Sequence, residues 1–308
     1  MKLLARAKIN WDLRVLGKRP DGYHELDTVM VTVDLADEIT FEPHAEFILS
    51  CSDPVLPCDN RNLVYQAAEL LAASANIRPT GRVHIRKTVP MGGGLGGGSS
   101  DAAAALMGLN ILWGLQLPRE HLLEIAPKIG ADVSFFLHGG WCRCRGRGEI
   151  VEPLPKSAAF QAITLLLVIP PLSVSTPEVY RAFIAAPYDG QKCHRILTAA
   201  EKEVHLEIEK LNAGAGGCWP DNELIPAAQA VEPQLRGVAA ALERSFPGRW
   251  QMSGSGAVHL VAPPIGVTLR DAAERLRREL PWPVRVLETR TGTQETGFSA
   301  KGGRRRKP

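Results

Sequence analysis

Between Gly92 and Gly98 the chain places six glycines in seven residues, interrupted only by Leu95. Such a run is costly to order, because glycine loses more conformational freedom on folding than any other residue. It implies a backbone that approaches something closely or takes positive φ repeatedly. The setting narrows the choice. Residues 83–89 alternate as a strand, and an Ala-rich helix opened by Ser99 and Ser100 follows over about residues 100–112. A helix N-terminus behind a glycine loop offers free N–H groups and a positive dipole end, which together make a phosphate site. A flexible linker is the alternative reading, but linkers do not usually sit tightly between a strand and a capped helix. Gly92, Gly94 and Gly97 satisfy GxGxxG, yet the acidic residue that a dinucleotide fold needs at the end of the next strand falls instead in the helix of Glu120 and Glu124. A Walker A loop needs Lys before Ser or Thr, where Gly98 stands here, and the protein-kinase strings HRD and DFG are absent.

The remaining composition sets the frame. At 308 residues, 45% apolar and 22% charged, the chain can bury a sizeable core and is long enough for two domains. The N-terminus is too charged for a secretory signal, and the apolar stretch at 165–169 is far short of a membrane span, so a soluble, cytoplasmic protein with reduced cysteines is expected. Cys142 and Cys144 lack the facing pair that tetrahedral zinc requires. The net charge of +3 depends on residues 301–308, which hold five basic residues and no acid; the rest carries 31 basic residues against 33 acidic ones. That tail reads as solvated and disordered.

Apolar spacing predicts strands through Ile9, Trp11, Leu13 and Val15 and through Val29, Val31, Val33 and Leu35, paired antiparallel about a turn at Pro20–Gly22. Helices are predicted at 62–75 and 119–129, the latter stopped by Gly130. Two prolines in 151–157 mark a domain boundary. Beyond it the expectation is a strand at 162–169, helices near 178–185, 223–231 and 234–246, a strand at 258–262, a helix at 269–280 and a strand at 284–289. The resulting domains are 1–155, nucleotide-binding and catalytic, and 156–300, followed by the tail 301–308.

Two charged residues stand in apolar surroundings. Asp132 lies in GADVSFFLHG and reads either as a helix cap or as a buried carboxylate that needs a cation or several donors. Lys8, in ARAKINWDL, reads either as a snorkelling strand-end lysine or as a buried cation that needs an anion. Phosphoryl transfer uses both types of group, one to accept the proton of an acceptor hydroxyl and one to offset charge on the transferring group.

The string PMGGGLGGGSSDAA, residues 90–103, resembles the PxxxGLxSSSA motif of the GHMP kinase superfamily. AKINWDLRVLGKRPDGYHELDTV, GADVSFFLHGG, GRGEIVEPL, VSTPEVY, DNELIPAA and MSGSG, in this order, are similar to the branch acting on a cytidine-diphosphate-linked methylerythritol. The resemblance implies an α+β fold of two domains, the first like ribosomal protein S5 domain 2 and the second a ferredoxin-like α/β plait. It implies ATP-dependent phosphorylation of the substrate's 2-hydroxyl in the non-mevalonate isoprenoid route, with mevalonate- or homoserine-type kinases as the sibling alternatives. By the same resemblance Lys8 and Asp132 are catalytic, and Pro90, Met91, Gly92, Gly93, Gly94, Leu95, Gly96, Gly97, Gly98, Ser99 and Ser100 bind ATP. Asn10, Tyr23, His24, Thr176 and Tyr180 bind the substrate, the two tyrosines as opposite slices of a sandwich about the base. Magnesium accompanies ATP, with a loop serine such as Ser100 as one ligand. The family's metal-binding glutamate has no counterpart, residues 190–221 match nothing, and Arg147 stands where an apolar residue is expected. A nucleic-acid-binding role through the tail and Arg143, Arg145 and Arg147 is the distant alternative; neither nucleic acid nor a membrane is expected as a partner.

Overall fold

The computed structural model describes residues 1–154, 163–184, 219, 221–280 and 282–292. Its first half contains β1 (Lys2–Asn10), β2 (Arg14–Lys18), β3 (His24–Glu42), β4 (Phe47–Cys51), α1 (Leu63–Ser74), β5 (Gly81–Arg86), α2 (Gly97–Leu112), α3 (Arg119–Ile129), α4 (Val133–His138), β6 (Trp141–Gly146) and β7 (Ile150–Pro153). The second contains β8 (Thr164–Ile169), α5 (Thr176–Ala182), α6 (Ile225–Val231), α7 (Leu235–Ser245), β9 (Trp250–Met252), β10 (His259–Val261), α8 (Leu269–Glu279) and β11 (Arg285–Arg290). The predicted boundary at 155 and the tail fall outside the described residues, as does nearly all of 190–221. Among the described residues no helix is long and apolar enough to cross a membrane.

β3 is the spine of a seven-stranded sheet, pairing antiparallel with β1, β2, β5 and β6. The predicted antiparallel pair is thus present, with one correction. The run from Ile9 to Val15 is not a single strand, because it breaks at Asp12, whose carboxylate turns inward to accept the Val29 N–H. The register of β1 on β3 shifts between Arg6 and Lys8, and side chains exchange faces there as expected of a bulge. Leu3 and Ala5 join the core under α1 to α4, whereas Ala7 and Ile9 join the core between the two halves. Lys8 and Asn10, at alternate positions, are thereby directed to the cleft.

The second sheet runs β11-β8-β10-β9, all antiparallel. Leu166 and Val168 pack under α7 and α8, while Leu165, Leu167 and Ile169 meet Ile9, Val29, Val31 and Val33 of the first half. A strand buried on both faces reads as the continuous apolar run seen in β8.

A buried ion cluster ties the first half to its glycine loop. Lys87 Nζ lies 2.5 Å from Asp37 Oδ2 on β3 and 2.9 Å from Asp101 Oδ2 in the first turns of α2. Asp37 Oδ1 also accepts the Thr88 and Val89 N–H groups. Burial raises the Asp101 carboxyl, Lys87 opposes the rise and Asp37 adds to it. Removing the cation leaves two carboxylates without it in a dry site, which typically costs about 3–5 kcal/mol. Lys87→Met is expected to lose stability on that scale in urea unfolding at pH 7; a loss below about 1 kcal/mol refutes the role given to the cluster.

Candidate active site

The glycine loop is held from two sides. On one, the Lys8 N–H donates to the Leu95 carbonyl at 3.0 Å, and Leu95 itself is buried between the sheets. On the other, Ser253 Oγ donates to the Gly94 carbonyl at 3.0 Å and the Val258 N–H to the Gly93 carbonyl at 3.3 Å. Gly94 has φ of 75°, and a Cβ there would lie 2.2 Å from the Ser253 carbonyl oxygen. Gly96, at φ 68°, caps α2 without a side-chain hydrogen bond, and a Cβ on it would meet the Phe136 ring at 2.8 Å. The first N–H groups of α2 are therefore left for a ligand. Gly97, Gly98 and Ser99 line a cavity of about 550 Å³. Pro90 to Gly96 line it too, as do Leu56, Pro57, Arg61 and Leu63, which the sequence reading had not singled out.

Lys8 and Asp132 meet at this cavity. Lys8 Nζ lies 3.7 Å from Asp132 Oδ2 and donates to Asn10 Oδ1 at 2.7 Å. Lys8 is buried, which decides between the two readings raised for it, but Asp132 is only partly so, with 27% of its side chain exposed toward the cleft. Of the two alternatives raised for Asp132, the cap is corrected, and the carboxylate that needs a cation meets Lys8, though only partly buried. It occupies the N-cap position of α4 yet makes no capping hydrogen bond, so its carboxylate stays available. Asn10 Nδ2 donates to Thr28 Oγ1 at 2.9 Å, and Thr28 Oγ1 donates to the Asp12 carbonyl at 2.6 Å. This chain of buried groups sets the Lys8 ammonium from behind.

A second cavity of about 800 Å³ adjoins the first. Tyr23, His24, Thr176 and Tyr180 all line it. The ring stacked on Tyr180 is His24, with centroids 5.3 Å apart, while the partner of Tyr23 is the Arg147 guanidinium, 4.8 Å from the ring centroid. A direct pairing of Tyr23 with Tyr180 is not among the ring contacts of the described residues. Burial and the Lys18 charge lower the His24 pKa, so the imidazole is neutral near pH 7, and burial raises the Tyr180 phenol, which stays protonated. Thr176 Oγ1 is 2.7 Å from Ser255 Oγ, so α5 and the 252–256 loop are joined at the cavity wall. Buried Asn222 fixes that loop, donating to the Met252 and Gly254 carbonyls at 2.8 Å each.

Ser100 is placed differently from the expectation. Its hydroxyl donates to the Arg6 carbonyl at 2.6 Å, is buried, and does not line the glycine-loop cavity, which Ser99 does. The arginine run on β6 is no open basic stripe: Arg143 is buried in a bidentate pair with Asp27, and Arg145 and Arg147 pair with Glu152 and Glu149.

Residues 62–140 match the GHMP kinases N terminal domain. A 4-diphosphocytidyl-2-C-methyl-D-erythritol kinase of Synechococcus sp. (strain CC9311) is 41% identical over 266 residues, 83% of this chain and 84% of that protein. The enzyme of the same name from Pelotomaculum thermopropionicum is 38% identical over 94% of this chain and 96% of its own. The chain belongs to the 4-diphosphocytidyl-2-C-methyl-D-erythritol kinase family. A crystal structure of such a kinase superposes with TM-score 0.74 at 32% identity, covering 95% of this chain and 99% of its own. A homoserine kinase from Cytophaga hutchinsonii, at 18% identity and TM-score 0.69, shares the fold. The two-domain α+β architecture of these kinases is the one expected from the sequence.

Asp12, behind the lysine, gives this site a pH signature. Burial pushes its carboxyl up to about 6, reinforced by Asp27 and opposed by the Val29 N–H, Arg14 and Arg143. A carboxyl raised in the folded state lends stability at low pH that is lost as pH rises from about 4 to about 6. Asp12→Asn keeps the acceptor and removes that loss. Urea unfolding is expected to show the variant gaining on the parent through this window, by up to about 3 kcal/mol; a difference that does not change with pH contradicts it.

Proposed function

We propose that the chain transfers the γ-phosphoryl group of ATP to the 2-hydroxyl of 4-diphosphocytidyl-2-C-methyl-D-erythritol, with Asp132 as the proton acceptor and Lys8 as the cation at the transferring group. The observation that supports this reading is the Lys8–Asp132 pair on the glycine-loop cavity, next in sequence to Ala131, which lines both that cavity and the aromatic one. Residues 92–99 would take the phosphates on the helix N-terminus and backbone N–H groups, and Leu56, Pro57, Leu63 and Met91 offer the apolar wall that a base requires.

The acceptor oxygen attacks the γ-phosphorus, the bond to the β–γ bridging oxygen breaks, ADP leaves, and the hydroxyl proton passes to Asp132. Lys8, held by Asn10 and facing Asp132, orients the hydroxyl and offsets negative charge on the equatorial oxygens. Magnesium on the ATP phosphates would supply further neutralisation. Ser99 and Asp101 present oxygen donors for it on the cavity, Asp101 Oδ1 being buried without a hydrogen-bond partner, whereas the Ser100 hydroxyl is taken by Arg6. His24 is neutral and can both donate to and accept from a base edge, and the Tyr23 and Tyr180 rings supply faces for it.

Asp132→Asn is expected to lower kcat by about 10²- to 10⁴-fold while leaving ATP affinity within about threefold, read by coupled ADP release and by calorimetry; full-speed turnover refutes the assignment. Substrate choice is checked separately. ³¹P NMR of the product should show phosphate on the 2-hydroxyl of the cytidine-diphosphate compound, and turnover confined to mevalonate or homoserine would overturn the reading.

A further inference from the structure

Arg147 is the residue that departs from the expected pattern, and its position gives that departure a use. The aromatic cavity is lined by Lys18, Lys128, Arg147 and Arg181 and, among the described residues, by no Asp or Glu. Among the described residues only Leu26, Ala131, Arg147, Thr176 and Tyr180 line both this cavity and the glycine-loop cavity, and of these five only Arg147 is charged. If the base lies among Tyr23, His24 and Tyr180 and the reacting hydroxyl lies at Asp132, the group that connects them must cross the junction these five residues form. In a diphosphocytidyl substrate that group is the diphosphate. We infer that Arg147 is the diphosphate-binding residue of this chain and a determinant of its preference for a nucleoside-diphosphate-linked acceptor.

The local structure suits the role. Arg147 lies on the β6–β7 turn between Gly146 and Gly148, both at positive φ, and its own N–H donates to Glu149 Oε2 at 2.6 Å. Its Nε is 3.7 Å from Glu149 Oε1, and its guanidinium plane is set over Tyr23. A side chain fixed by one carboxylate and one ring has lost rotamer freedom before any ligand binds, and a planar fork matches phosphate oxygens in pairs. The turn also reaches the reacting end, since a Cβ on Gly148 would lie 3.4 Å from Asp132 Oδ1. A cation stacked on Tyr23 and a diphosphate attached to a base near Tyr23 are therefore neighbours by construction. Tyr180, kept protonated by burial, and Thr176 can donate to the same oxygens.

This inference deepens the proposed activity and depends on it, and the test separates the two. Binding of CDP, CMP and cytidine is measured by calorimetry on the full chain and on Arg147→Met and Arg147→Lys, beside steady-state kinetics with the cytidine-diphosphate substrate. Loss of a charge-assisted contact is expected to weaken CDP and raise the substrate KM by about 10- to 100-fold. Cytidine affinity should change by less than about threefold, and the KM for ATP and the midpoint of thermal unfolding should hold. Lysine should restore part of the CDP affinity, as a charge without the fork. An Arg147→Met chain that still prefers CDP over cytidine by the parental factor overturns the role of Arg147 and leaves the kinase reading standing. A parental chain that binds neither CDP nor the substrate overturns both.

Discussion

The glycine loop passes between two backbones that belong to opposite halves of the chain, and most of the site follows from that close passage. Leu95 hydrogen-bonds to β1 on one side, and Gly93 and Gly94 hydrogen-bond to residues 253 and 258 on the other. At Gly94 there is no room for a methyl group, because the Ser253 carbonyl already occupies its place. The loop is thus a shared wall. It sets the start of α2, and through Ser253 it fixes where the 252–256 loop presents Ser255 to Thr176. The glycine-loop and aromatic cavities are held in register by one run of backbone, in which Gly94 and Gly96 have no room for a side chain.

Behind that wall the buried polar groups form a series rather than a scatter. Lys8 bonds Asn10, Asn10 bonds Thr28, Thr28 bonds the Asp12 backbone, and the Asp12 carboxylate bonds the Val29 N–H. Each member is costly to bury alone and acceptable when paired. Asp132 is the member left partly in solvent and without a capping bond. A carboxylate held near a lysine but not saturated by donors keeps lone pairs for an incoming proton, which is what distinguishes it from Asp27, closed in a bidentate pair with Arg143.

The parts legible in the sequence are those whose cause is local. The helices over 62–75 and 119–129 announce themselves through apolar spacing, the second also through Gly130, and the observed α1, with Asn62 as its cap, and α3 follow closely. The glycine loop is visible because no other composition shares its cost. What the sequence hid depends on contacts far along the chain. β6 alternates Cys and Arg and carries no strand signal until β3 supplies Asp27 for Arg143 and the helix layer covers Cys142 and Cys144. Asp37 and Asp101 look like surface acids in their own segments and become interior only because Lys87 lies between them. The face exchange in β1 was likewise unreadable, since it arises from a register shift against β3. Ser100 was misplaced for a related reason. Adjacent helix residues point about 100° apart, so one of Ser99 and Ser100 faces the cavity and the other faces Arg6, and only packing decides which.

Charge follows the same division between the chain-wide and the local. The formal +3 of the whole chain says little about a site that handles anions, because five basic residues of the 301–308 tail supply its sign. Within the fold, cations are apportioned by cavity. Around the phosphate loop Lys8 and Lys87 are matched by Asp132, Asp37 and Asp101, so attraction for phosphate comes chiefly from backbone N–H groups and the dipole of α2. Around the aromatic cavity four cations line the wall and, among the described residues, no acid does, although Arg147 and Arg181 pair with Glu149 and Glu178 outside the lining. The first arrangement suits a transferring group whose charge must be stabilised in the transition state without being trapped in the ground state. The second suits the non-reacting end of an acceptor, where uniform attraction costs the chemistry nothing and selects for a ligand that carries its own negative charge.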